Sequence, residues 1–185
     1  REKGGLMAYI VETGELAQIT AVDGSKVGSP SAAVNRNSVL CKAGERVLEI
    51  QIAVTIQGGD GDKHAKVMAR ERPLSAVRGM DGTLNESCDG HYVAVGQREA
   101  DGVAKPGIVI IDTQTGKAER LCDIPDGVTY HSHVQWSVTN PHWLSFAGAP
   151  YRLWVVDIRD RKPWCPYKEL PDELVTHESW WVNDQ

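Results

Sequence analysis

The chain has 185 residues, 24% of them charged, and its formal net charge at pH 7 is −5. This length is sufficient for one domain with a sizeable core, and the acidic balance argues against a nucleic-acid binder, which would normally present a basic face. No apolar run approaches the roughly 20 residues of a membrane-spanning helix, so neither nucleic acid nor a membrane is expected as a partner.

The first third of the chain predicts strands rather than helices, because short β-rich runs alternate with Gly, Asp, Asn and Pro. Leu6–Thr20 is predicted to be a hairpin that turns at a Thr-Gly pair, where glycine can adopt a positive φ. Ser29–Gly44 is predicted to be a strand, a turn at Asn35–Asn37 and a second strand. The Gly-rich stretch Ile56–Lys66 is interpreted as a loop insertion, with His64 as a solvent-exposed loop residue.

The same two units recur further along the chain. Glu86–Glu99 is a strand-turn-strand unit around an Asp-Gly pair, and Gly107–Leu121 is a hairpin that turns at a Thr-Gly pair. Ser132–Gly148 and Arg152–Tyr167 repeat the two units in the same order. The repetition indicates a modular all-β fold.

The spacing of the units favours an incomplete β-propeller. Asp157 takes the place of Asp112 about 45 residues earlier, a typical distance between four-stranded propeller blades. One such sheet cannot bury both faces, so neighbouring sheets must stack. A further unit begins where His177 takes the repeat position of His133, so residues 1–185 are interpreted as a partial propeller domain of about three to four blades. An all-β sandwich is the alternative, because strand spacing alone does not separate the two.

Several kinds of site are not predicted. The four cysteines are scattered without a CxxC pair, so a zinc site is not expected and the thiols are interpreted as reduced, in a cytoplasmic protein. His131 and His133 have no third ligand in range, so no metal site is predicted in this chain. The GxSxG, phosphate-loop and HExxH motifs do not occur.

The candidate reactive groups are two histidines and one arginine. His133 and His177 each come just before a predicted inner strand, so both are expected to approach one site at the mouth of the central channel. A histidine there can act as a base near neutral pH; the alternative is a structural hydrogen bond to a neighbouring blade. Arg152, at the start of a strand, offers a planar fork to a carboxylate, and its alternative is a salt bridge between blades with an aspartate.

Three further residues follow the second of these histidines. Glu178 is expected to point away from His177 on a strand and to bond to a neighbouring blade. Trp180 and Trp181 are expected to face opposite sides of that strand, so that one is core and the other lines the channel or the next blade. His142, in a turn after a proline, is predicted to be exposed.

From about Gly90 onward the sequence resembles the oligogalacturonate lyases, a polysaccharide lyase family built on a seven-bladed propeller. The similarity rests on "GHYVAVGQRE", "IIDTQTGKAERL", "TNPHWLSFAG", "RLWVVD" and "THESWW". The family carries an arginine before an apolar-Trp pair, here Arg152, and a Thr-His-Glu-aromatic-Trp signature, here Thr176 to Trp180. Ser179 replaces the aromatic residue, and Ala147–Pro150 stands where the family often has a His-Glu-Gly-Pro segment.

The resemblance implies pectin degradation by β-elimination, in which short oligogalacturonides are cleaved to 4,5-unsaturated uronates. It implies His177 as the base, Arg152 as the group that neutralises the developing charge, and His133 and Trp180 as substrate-binding residues. The family also holds manganese on a later group of His and Gln residues. Those ligands are expected beyond Gln185, so the 185 residues alone are expected to be inactive. The alternative is a non-catalytic, TolB-like binding propeller, which Ser179 favours.

Overall fold

The computed structural model describes residues 5–20, 27–59, 61–103 and 105–180, and within these ranges the protein is all-β, without a helix. None of the described segments is therefore a helix that could cross a membrane. The predicted all-β class is confirmed. The strands are β1 Met7–Ile10, β2 Glu15–Gln18, β3 Val27–Ala32, β4 Ser38–Ala43, β5 Arg46–Gln57, β6 His64–Ala76, β7 Met80–Glu86, β8 Tyr92–Gln97, β9 Gly107–Asp112, β10 Ala118–Asp123, β11 Thr129–Tyr130, β12 Gln135–Trp136, β13 Trp143–Ala149 and β14 Leu153–Asp157.

These strands form one hairpin and three four-stranded antiparallel sheets. β1 pairs with β2; the first sheet contains β3 to β6, the second β7 to β10, and the third β11 to β14. In the first two sheets the strands lie side by side in sequence order. In the third, β11 and β12 both pair with β13, which pairs with β14 on its other edge. β7 contacts both β3 and β12, so one edge strand of the second sheet lies beside edge strands of the first and third sheets.

The core consists of apolar layers between successive sheets. Along β9, Ile108 and Ile110 pack toward the third sheet, whereas Val109 and Ile111 pack toward the first. Since the side chains of a strand alternate between its two faces, the second sheet is covered on both. This explains the continuous apolar run of β9, and it differs from a two-layer sandwich, in which each sheet buries one face.

The predicted hairpin turns are present. Asp112 Oδ1 accepts hydrogen bonds from the N–H groups of Gln114 and Thr115, at 2.9 and 2.7 Å. Asp157 Oδ1 accepts one from the N–H of Arg159 at 2.9 Å, so the two aspartates end their strands in the same way. The return strand of the third hairpin is reduced to one bridge, between Val155 and Trp164.

The Gly-rich stretch Ile56–Lys66 is not a loop insertion. β5 and β6 are twelve and thirteen residues long and remain paired as far as Gln57 and His64, so the stretch is the tip of a long hairpin. Gly58 adopts a φ of 100° there, which only glycine tolerates without strain. His64 is exposed, as predicted, but it opens a strand, and its Nε2 lies 2.9 Å from Asp62.

A buried ionic network joins the first and second sheets. Glu49 and Glu86 are both fully buried carboxylates, and Arg36, in the turn between β3 and β4, contacts both. Arg72 donates two hydrogen bonds to Glu49 Oε2, at 2.8 and 2.6 Å. The N–H of Val34 donates to Glu86 Oε2 at 2.6 Å. These contacts fix the position of the two sheets relative to each other.

Candidate functional site

The inner edge of the third sheet is interrupted between β11 and β12. Ser132 and His133 adopt φ values of 64° and 65°, a left-handed conformation that costs a non-glycine residue roughly 1–2 kcal/mol. The break still pairs with β13, because the N–H of His131 donates to Ala147 O and the N–H of Ala147 donates to Ser132 O, both at 3.1 Å. His131 and His133 therefore do not lie on a regular strand.

The second sheet supports this break through Gly82 of β7. Gly82 has a φ of 69°, and a Cβ at this position would lie 2.9 Å from the Cβ of Ser132. The ammonium group of Lys42, on β4, donates to the carbonyl oxygen of Gly82. All three sheets thus contribute to the surroundings of the interrupted strand.

Glu178 connects the two residues predicted to lie at the channel. Its Oε1 lies 2.7 Å from Nδ1 of His133, and its Oε2 accepts a hydrogen bond from Nε of Arg152 at 2.9 Å. The Glu178 side chain is only 7% exposed. The predicted hydrogen bond to a neighbouring blade takes the form of these two contacts with residues of the third sheet. The predicted strand around it is wrong, because residues 174–180 are irregular.

The neighbours of His133 indicate its tautomer. Its Nδ1 lies 2.7 Å from a carboxylate oxygen of Glu178, which can only accept, and its Nε2 lies 3.2 Å from the side-chain amide of Gln135. A neutral His133 therefore carries its proton on Nδ1 and donates it to Glu178. With both ring nitrogens engaged, His133 is part of a hydrogen-bonded chain from Gln135 to Arg152.

Arg152 is held along one side and leaves its outer end open. Its backbone N–H donates to Oε1 of Glu169 at 2.7 Å, and its Nε donates to Glu178. No hydrogen bond joins either Nη atom to a residue that the structure describes, and the side chain is 23% exposed. Arg152 and Glu178 therefore form a salt bridge, with a glutamate in place of the aspartate of the alternative interpretation. The two Nη groups can still bind a carboxylate.

His177 lies beside this group. Its ring is 6.3 Å from that of His133, centroid to centroid, at an interplanar angle of 79°. The two histidines thus converge, and Glu178, the next residue after His177, brings Arg152 to the same place. His177 is exposed and makes no hydrogen bond to the described part of the chain, so its imidazole can approach a ligand.

Trp180 packs on the third sheet. Its indole N–H donates to Gln135 O at 3.2 Å, and its ring lies 6.3 Å from that of Trp143. These contacts secure the segment that carries His177. Trp181 lies outside the described residues. His142 is half-buried rather than exposed, and its buried Nδ1 has no hydrogen-bond partner within the described ranges.

The position of Glu178 between His133 and Arg152 was not predicted from the sequence, because regular alternation on a strand would have separated it from the histidines. A signal was nevertheless present: a carboxylate directly follows His177 in the chain. Across residues 5–20, 27–59, 61–103 and 105–180, no three His, Cys, Asp or Glu side chains are grouped as a metal site requires. None of the four cysteines forms a disulfide within the described part of the chain.

No known family model matches the sequence, and neither does the sequence of any curated protein. The structure is similar to that of an oligogalacturonate lyase in complex with manganese, with a TM-score of 0.69 and 13% identity over 96% of this chain and 50% of that chain. The fold is a β-propeller. The chain thus spans half the length of that propeller. TolB from Acinetobacter baumannii is matched with a TM-score of 0.47 and 10% identity, over 80% of this chain and 35% of that chain.

Proposed function

We propose that this chain belongs to an enzyme that cleaves short oligogalacturonides by β-elimination. The observation that carries the proposal is the pairing of an unbonded imidazole, His177, with an arginine whose two Nη groups have no partner among the described residues. Arg152 is held by Glu178 and Glu169, so its outer fork is presented in a fixed position. The sequence resemblance and the propeller fold agree with this assignment.

The proposed reaction begins at C5 of a uronate, next to the carboxylate. His177 takes the C5 proton, and the electron pair forms the C4–C5 double bond as the bond from C4 to the glycosidic oxygen breaks. Water protonates the departing oxygen. Negative charge grows on the carboxylate as the proton leaves, and Arg152 stabilises it with two parallel hydrogen bonds. His133 and Trp180 are the proposed substrate-binding residues, and both act through the faces of their rings, because the Trp180 N–H and both ring nitrogens of His133 are already hydrogen-bonded.

Manganese enters the proposal only through the resemblance. The described residues do not supply a group of ligands that fits it, and no step of the reaction is assigned to the metal. An acidic oligosaccharide is the proposed ligand of the site. Because the four cysteines form no disulfide within the described residues, a reducing compartment suits the protein, and we place it in the cytoplasm.

A non-catalytic binding or scaffold propeller is the second candidate. The salt bridge between Arg152 and Glu178 favours it, because a buried carboxylate already balances the arginine charge. The two candidates differ in what they require of His177: the lyase needs its imidazole as a base, whereas a binding protein needs only the shape of the surface.

The test uses the protein with all the residues that its gene encodes, digalacturonate and Mn²⁺. The ultraviolet absorbance of the unsaturated uronate reports turnover. Wild-type protein is expected to form this product, and His177→Ala to lose about 10²–10⁴-fold in kcat, the usual contribution of a general base. His91→Ala, at an exposed turn of the second sheet, is the matched control and should retain full activity. Absence of product from the wild type, or full activity in His177→Ala, would reject the lyase.

A further inference from the structure

The carboxylate of Glu178 lies between His133 and Arg152 and is hydrogen-bonded to both. Its side chain is almost fully buried, and each oxygen has its own partner, Nδ1 of His133 at 2.7 Å and Nε of Arg152 at 2.9 Å. A buried carboxylate is tolerated when it is paired in this way. Both partners project from the third sheet, whereas Glu178 lies on the segment that carries His177. One carboxylate therefore connects the sheet to that segment.

We propose that Glu178 is a positioning residue of this site, whose carboxylate fixes both the direction of Arg152 and the tautomer of His133. This inference rests on the proposed function. By binding Nε, Glu178 holds the guanidinium along one side and leaves both Nη groups for a substrate carboxylate. By accepting a hydrogen bond from Nδ1–H of His133, it keeps that ring against the ring of His177, 6.3 Å away.

The contacts explain why a carboxylate is needed rather than an amide. A glutamine at this position could accept one hydrogen bond from Arg152, but its NH₂ group would then face Nδ1 of His133. His133 would have to accept there and move its proton to Nε2. That proton would meet the side-chain nitrogen of Gln135, now 3.2 Å away, so the Gln135 amide would have to rotate as well. Glu178→Gln thus alters the chain of hydrogen bonds with almost no change in shape.

The first measurement is the tautomer of His133 in ¹⁵N-histidine-labelled full chain, at a pH at which the imidazole is neutral. One-bond and two-bond ¹H–¹⁵N correlations distinguish a proton on Nδ1 from one on Nε2. We expect the Nδ1–H form in the wild type and conversion to the Nε2–H form in Glu178→Gln. A wild-type His133 with its proton on Nε2, or a variant that keeps Nδ1–H, would overturn the proposal.

The second measurement separates positioning from folding stability. Glu178→Gln should lower kcat for digalacturonate about 10–100-fold, the usual loss when a supporting hydrogen-bond partner is removed. KM should change far less, because the Nη groups of Arg152 remain available. A variant that melts at a lower temperature but keeps the wild-type kcat would show that Glu178 has only a structural role, and would overturn the proposal.

Glu173→Gln is the matched control for both measurements. Glu173 lies on the same segment and also accepts two hydrogen bonds, from the Tyr167 hydroxyl at 2.5 Å and the Leu170 N–H at 2.7 Å, but it does not touch the site. It should leave the His133 tautomer and kcat unchanged. If the wild type makes no unsaturated product and Glu178→Gln still converts the tautomer, the lyase is rejected and the positioning by Glu178 is supported.

Discussion

Replacement of Arg36 by methionine tests how the first two sheets are held together. Arg36 contacts two carboxylates from different sheets, Glu49 on β5 and Glu86 at the end of β7, whose side chains are 1% and 0% exposed. Methionine keeps much of the apolar stem and removes the charge. Glu49 would retain its second cation, Arg72. Among the described residues, Glu86 would retain only the hydrogen bond from the N–H of Val34.

The expected loss in the free energy of unfolding follows from this asymmetry. Removing one partner of a buried ion pair costs about 3–5 kcal/mol, because the other charge remains buried and uncompensated. The Arg36 side chain is 29% exposed, so water screens part of the interaction, and we expect about 3 kcal/mol, near the lower end of that range. The Nη1–Oε1 contact with Glu86, at 2.6 Å, contributes most of this loss, since only Glu86 is left without a cation.

Equilibrium unfolding in urea, followed by tryptophan fluorescence, measures this loss. With a slope of about 1–3 kcal/mol per molar urea, the midpoint should fall by roughly 1–3 M. The double variant Arg36→Met/Glu86→Gln should be more stable than Arg36→Met alone, because it no longer contains the unpaired charge. A single variant within about 0.5 kcal/mol of wild type, as for an ordinary surface substitution, would refute the buried-pair reasoning. So would a double variant less stable than the single one.

Two further predictions concern a glycine and an acid. Gly82→Ala should destabilise the protein by about 1–2 kcal/mol because of the positive φ, and further because the new Cβ would contact Ser132. Gly44 has a φ of 64° but open space where a Cβ would lie. Gly44→Ala should therefore show only the loss due to φ when the two variants are compared by urea unfolding. Hydrogen bonds from Arg159 lower the pKa of Asp157 from 3.8 to about 2, so the ionised carboxylate stabilises the fold. This stability is present above pH 3.8 and is lost as the pH falls toward 2, so Asp157→Asn should flatten the acid limb of unfolding free energy against pH.

The sequence predicted the strands well where turn-forming residues and a run of apolar residues indicated the same hairpin. Gly107–Leu121 was predicted as a hairpin because Thr115-Gly116 provides the turn, and Gly116 does adopt a positive φ of 73°. The apolar run of β9 is continuous because both of its faces are covered. The tip of the β5–β6 hairpin was missed for the opposite reason: Gly, Asp and Lys dominate Ile56–Lys66, and exposed strand ends carry no apolar pattern.

The candidate site was predictable only in part, because its geometry depends on irregular backbone. The repeat position of His133 and His177 predicted that both face one site, and in the structure their rings lie 6.3 Å apart. The left-handed conformation at Ser132 was not predictable, since serine does not favour a positive φ, and it is Gly82 in the next sheet that leaves room for it. The burial of Glu178 was missed because period-two alternation was applied to a segment that is not a strand.

The irregular segments therefore determine which side chains meet at the candidate site. In a regular inner strand through Ser132 and His133, the backbone N–H and C=O groups would pair with β13. The side chains would then alternate between the two faces of the sheet. The break releases His133 from that alternation and allows its ring to bond Glu178. The irregular segment that follows the third sheet in turn places Glu178 between two of that sheet's side chains, next in sequence to His177. The regular sheets provide a rigid support, and the irregular segments set the orientation of the His133 and Glu178 side chains. Substitutions at Gly82 and Glu178 should therefore affect activity more than substitutions of equal size on the outer strands.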